Sequence, residues 1–264
     1  MRLLLRCIAI LLAAATAALA AAADRPSGQT ATSDALSALH YKAVLIAGDP
    51  GSAAFDNATA AMWDRLVAGR VAPAAIQRLS AARAVVAQDG VRSSGLGHVV
   101  SAIEHMHPGA GEGCLVFATS HGAYEDGLAL VPSRSFLTPA ALDDALAVGC
   151  GDAPTVVIIS ACFSGSFTRP PMARANRIIL TAARRDRPSF GCGAGFQYTV
   201  YDRCLLQAMD HSTDWRSAYI TIEDCVARRE NELHFRPSEP QAYFGDAVHG
   251  MPVPGPPRRD AAGG

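Results

Sequence analysis

Two reactive side chains stand at equivalent places in this chain. FATSHG ends one apolar run in His121 and Gly122, and IISACFSGSF ends another in Cys162. A cysteine attacks through its thiolate, and a neighbouring imidazole can take its proton or steady its charge. The residues around the cysteine, Ser160, Ala161, Ser164, Gly165 and Ser166, are small enough for a substrate backbone to approach the sulfur. Gly122 follows the histidine, and its backbone N–H, with that of Cys162, suits the oxyanion of a tetrahedral intermediate. A lone cysteine after an apolar strand is more often a small buried hydrophobe or half of a bridge. Two reactive types ending two strands, each with small neighbours, favour nucleophilic chemistry.

The elements that must position this pair are short. HYKAVLIAGD, CLVFATSHG, GLALVP, TVVIIS and NRIILTAA read as strands, with AAIQRLSA a shorter one. Between them lie helical stretches. FDNATAAMWDRLVAG has Asp56 or Asn57 near its cap and Gly69 at its end; GLGHVVSAIEHM is stopped by Pro108; LTPAALDDALAVG starts at a Thr138 cap with Pro139 in its first turn. Two more helices are expected at Thr199 to Met209 and Asp214 to Leu233. Apolar strands alternating with amphipathic helices predict an α/β fold with a mostly parallel central sheet covered by helices on both faces. Right-handed crossovers put the carboxyl ends of parallel strands on one edge, so His121 and Cys162 are expected in one cleft.

Composition narrows the setting. Residues 1–23 carry Arg2 and Arg6, then an apolar run from Cys7 to Leu19 and a string of alanines, which reads as a cleaved signal peptide. Export to the periplasm or beyond is the expected localisation, with no membrane span left after cleavage. Residues 24–40 read as a polar lead-in, 41–250 as one domain and 251–264, opening MPVPGPP, as a disordered tail. A net charge of −1 with acids and bases interspersed suggests neither a nucleic-acid surface nor a membrane patch. Six cysteines follow the signal, and an exported chain keeps disulfides. With Cys162 free, two bridges and one spare thiol remain: Cys114 with Cys150, and either Cys192 with Cys204 or Cys204 with Cys225. His98, His105 and His107 do not share one helix face, and no spacing suits zinc, so no metal is expected.

An apolar strand with SHG, followed by an apolar strand with SAC and SGS, resembles the legumain-like branch of the caspase-fold cysteine peptidases. TAARRDRPSFGC and EPQAYFGDA are similar to segments of its bacterial secreted members, and the resemblance runs from about Lys42 to about Val248. It implies a caspase-like sandwich and an endopeptidase with a His121/Cys162 dyad. It also implies an oxyanion hole at Gly122 and Cys162, no cofactor, and an extended peptide or protein substrate added along the sheet edge. In legumains an arginine shortly after the first strand lines the specificity pocket and an acid lies just before the cysteine. Here GDPGSAAFDNATA offers Asp49, Asp56 and Asn57, and Ser160 stands where the acid would be. Asp56 is thus a candidate to read Arg or Lys through a charge-assisted pair, against a helix-capping role. Ser189 and Phe190, after NRIILTAA, are implied to border the cleft.

Three rivals stay open. VLIAGDPGS with Asp246 and His249 is similar to the blocks of GDSL-type esterases, although Pro50 and Gly51 displace Ser52 from the strand end. A caspase-like domain can serve as a dead-site peptide-binding or sensor module. A transpeptidase would use the same acyl-enzyme with an amine in place of water. Nothing in the sequence fixes the oligomeric state.

Overall fold

β-Branched and leucine-rich runs form the strands, and each is bracketed by a turn or a capped helix. The structure, a computed structural model, describes residues 39–255; the expected signal peptide, residues 24–38 of the lead-in and residues 256–264 lie outside it. The chain opens with β1 (His40–Ala47), α1 (Ala53–Ala68), β2 (Ile76–Ser80), the single turn α2 (Arg83–Val86), β3 (Val91–Ser93) and α3 (Leu96–Glu104). It continues with β4 (Glu112–Thr119), β5 (Gly122–Ala123), β6 (Gly127–Leu130), β7 (Ser135–Leu137), α4 (Pro139–Gly149) and β8 (Thr155–Ser160). It closes with β9 (Arg177–Thr181), α5 (Val200–His211), α6 (Trp215–Glu232) and β10 (Gln241–Phe244).

Seven strands make the main sheet in the order β10-β9-β8-β4-β1-β2-β3. All its pairings are parallel except the antiparallel edge strand β10 on β9. Side chains alternate across it, so Leu45, Leu115, Phe117, Ile158 and Leu180 pack with α1, α5 and α6, while Val44, Ile46, Val116, Ile159 and Ile179 pack with α3 and α4. A small antiparallel sheet, β5-β6-β7, closes the second layer through Leu128, Leu130 and Leu137. The expected mostly parallel α/β sandwich is therefore present.

The differences from the sequence reading have physical reasons. α1 is capped by Ser52, whose hydroxyl accepts from Ala54 N, so the helix begins before Asp56 and Asn57, which fall within it. α3 ends at Glu104, ahead of Pro108. Cys114 and Cys150 are bridged as expected, with Cys114 on β4 and Cys150 capping α4 just before the neighbouring β8. The second bridge is Cys204–Cys225, across α5 and α6, which leaves Cys162 and Cys192 free. The tail is not frayed over residues 251–255. Met251 and Val253 are buried, Trp215 N donates to Met251 O, and Tyr41 Oη donates to the carbonyl of Pro252.

Candidate active site

The pairing of β4 with β8 sets Thr119 opposite Ser160. His121 and Cys162 each stand two residues beyond those positions, at matched places past the ends of adjacent parallel strands. Thr119 and Ser160 both turn to the α5 face: Thr119 Oγ1 donates to Asp202 Oδ2 at 2.8 Å, and Ser160 Oγ lies 3.4 Å from Thr199 Oγ1, the cap of α5. His121 continues on that side, where its ring meets the edge of Phe55 from the first turn of α1 at a centroid distance of 5.4 Å.

Close approach of the two strand ends needs the glycine. A Cβ on Gly122 would lie 2.0 Å from the carbonyl oxygen of Cys162. The backbones that carry the histidine and the cysteine are thus in contact. Phe163, directly after the cysteine, has a left-handed backbone (φ 59°), and its N–H is tied to Arg187 O at 2.8 Å. Non-glycine residues occupy this region at a cost that neighbouring structure must hold in place. Here the turn lifts Cys162 off the end of β8.

The loop after β9 covers the sulfur. Ser189 N donates to Cys162 Sγ at 3.3 Å, and Ser189 O and Oγ lie 3.5 and 3.8 Å from it. Phe190 stacks on Phe235 at 4.5 Å between centroids, which anchors the loop to the end of α6. Of the residues read from the sequence, His121, Gly122, Cys162 and Ser189 are brought together, with Phe190 next in the chain. Ser160 lies beneath them and is buried.

Asp56 is placed differently. Its carboxyl turns to Ser80 at the end of β2 and to Arg78, and burial, opposed by those two groups, raises its pKa. Asp56 Oδ1 is sealed from solvent without a hydrogen-bond partner. Asp56 therefore faces β2, two places away from β4 in the sheet. The esterase blocks also separate: Ser52 Oγ serves the α1 cap, while Asp246 and His249 follow the antiparallel β10, at the opposite end of the sheet. Among the described residues, no group of three His, Cys, Asp or Glu side chains is arranged to hold a metal ion.

Two residues at the site were missed in the sequence. Cys192 Sγ lies 4.0 Å from His121 Nδ1, and its thiol pKa is raised by burial and by the nearby charge of Cys162 and Asp49. The only signal was arithmetic, one cysteine left over. Asp202 sits under the pair, fully buried, with Oδ1 unpartnered. Burial pushes its pKa up to about 6, against the hydrogen bonds from Ser160, Thr119 and Thr199.

Fold and site together define a caspase-like α/β domain that carries a cysteine and a histidine on adjacent strand ends. Among solved structures the chain is similar to caspase-1 from Spodoptera frugiperda, with a TM-score of 0.52 and 12% identity, covering 78% of this chain and 86% of that one. That likeness is one of fold. No curated protein matches the chain in sequence. The model of the Peptidase C13 family matches residues 98–250, more than half of the chain, and the chain belongs to that family of cysteine peptidases.

Proposed function

We propose that the protein is a cysteine endopeptidase whose nucleophile is Cys162 and whose general acid and base is His121. The thiolate attacks the scissile carbonyl, His121 protonates the leaving amine, and water then releases the acyl-enzyme. The developing oxyanion is held by the backbone N–H groups of Gly122 and Cys162. One observation carries the reading: the two reactive side chains stand at matched positions past β4 and β8, with Gly122 packed on the Cys162 carbonyl. The substrate is an extended peptide or protein segment laid along the Ser189 and Phe190 loop. Intact Cys162 and His121 speak against a dead-site binding module, which needs neither.

The test is a fluorogenic peptide panel with Asn, Asp, Arg and Lys at the cleavage position. Wild type should turn over at least one member, and Cys162→Ala and His121→Ala should fall to background. Equal silence from all three proteins, with peptide still bound, would replace the enzyme by a binding module. Given the engagement of Asp56 with Ser80 and Arg78, Asp56→Ala is expected to leave the ranking of the four peptides unchanged; a lost preference for Arg or Lys would restore Asp56 to the pocket. We also infer export to the periplasm or beyond. Two disulfides, Cys114–Cys150 and Cys204–Cys225, support it, since such bridges persist in oxidising compartments.

A further inference from the structure

Four of the six cysteines among the described residues are bridged, and the two free ones, Cys162 and Cys192, both stand at the candidate site. Cys162 Sγ accepts from Ser189 N at 3.3 Å, and Cys192, three residues further along the same loop, places its sulfur 4.0 Å from His121 Nδ1. Both thiols are half-buried, so each is reachable. Cys192 sits between Gly191 (φ 94°) and Gly193, and Gly195 (φ 91°) follows, so the loop has backbone freedom on both sides of the thiol. The proximity of the two sulfurs is also felt electrostatically: the charge of Cys162 is one of the groups that raise the Cys192 pKa, after burial.

We propose that Cys192 is a resolving thiol for Cys162, and that the two close a reversible disulfide when the site meets a low-molecular-weight disulfide. The chemistry balances in two exchanges. The Cys162 thiolate attacks a small disulfide RSSR, forming Cys162–S–S–R and releasing one RS⁻. His121 then accepts the Cys192 proton, the Cys192 thiolate attacks the Cys162 sulfur, and the second RS⁻ leaves. Two protein thiols are oxidised, RSSR is reduced to two RSH, and no other oxidant is needed. The closed bridge occupies the nucleophile and pulls the Ser189 loop onto it, and a dithiol reductant reopens it. Inhibition as a consequence rests on the peptidase reading above; the thiol exchange does not.

The experiment is oxidation of the full-length mature protein, with Cys114–Cys150 and Cys204–Cys225 intact and Cys162 and Cys192 as thiols, by glutathione disulfide, read by intact mass and by peptide mapping without reduction. Wild type should lose two hydrogens, carry no glutathionyl group and yield a fragment that links Cys162 to Cys192. Cys192→Ser and, as a second variant against misfolding, Cys192→Ala should instead retain one glutathionyl group on Cys162. A stable glutathionyl adduct on Cys162 of wild type, or no reaction at Cys162, overturns the proposal. Turnover of the peptide panel is read separately on enzyme with Cys162 and Cys192 as thiols. A protein that closes the bridge but cleaves nothing would therefore sink the peptidase reading alone.

Discussion

Asp202→Asn should make the protein more stable at neutral pH. Asp202 is the fully buried carboxyl of α5, and its pKa is raised by burial from 3.8 to about 6, with only the hydroxyls of Ser160, Thr119 and Thr199 working against that rise. At about 1.36 kcal/mol per pH unit, the displacement corresponds to about 3 kcal/mol by which the ionised carboxylate weakens the folded state. The sign follows from proton linkage. The native group holds its proton more tightly than the unfolded one, so its favourable contribution is complete below the unfolded pKa and is lost as pH rises through about 6. Asparagine keeps the shape and has no charge to desolvate. Urea unfolding of oxidised protein across pH 3.5 to 8 should show wild type losing stability relative to Asp202→Asn between about pH 4 and 6. By pH 8 the variant should lead by up to about 3 kcal/mol, which for a domain of this size is about 6–12 °C in Tm. Parallel curves across that window would refute the reasoning, since they would show a carboxyl that is not desolvated.

Other changes test other contacts. Gly122→Ala places a methyl 2.0 Å from the Cys162 carbonyl and should lower kcat by about 100-fold or more, through displacement of an oxyanion donor, with little change in peptide binding. Asp143 accepts from Arg174 and from the buried Arg177, so Asp143→Ala leaves an uncompensated cation and should cost about 3–5 kcal/mol in urea unfolding. The double variant Asp143→Leu/Arg177→Met should recover most of that loss. Burial opposes ionisation of Asp143, but the two arginines outweigh it and hold the carboxyl below the usual range, so this contribution is present at neutral pH and is lost on acidification through the lowered pKa.

How much of this was legible follows from what each residue's signal is made of. The strands of the sheet centre were readable because β4, β8 and β9 are continuous apolar runs buried on both faces, a pattern that needs no tertiary context. β10 was not, because QAYF is a short edge strand of half-buried residues between Pro240 and Gly245. The cap of α1 was misplaced because Asp56 and Asn57 have the right chemistry for a cap, but Ser52 has it too and stands nearer the end of β1. The fraying expected at MPVPGPP came from composition alone, whereas Met251 and Val253 are held by Trp215 and Thr213 across the end of the domain.

The site divides along the same line. His121 and Cys162 could be picked out as candidates because each closely follows its own strand, and register sets them side by side. Once Thr119 faces Ser160, two further residues on each chain bring both side chains to the same side of the sheet. A slip of one residue in either strand would send one of them to the opposite face and destroy the site without changing its composition. Cys192 and Asp202 reach the same place by another route, one from a glycine-bearing loop and one from the helix that follows it, and neither spacing advertises its destination. The residues past the strand ends therefore carry the proposed reaction. The Ser189 loop covers the sulfur and Asp202 holds Thr119 beneath, and a rule that ranks residues by local pattern is blind to both.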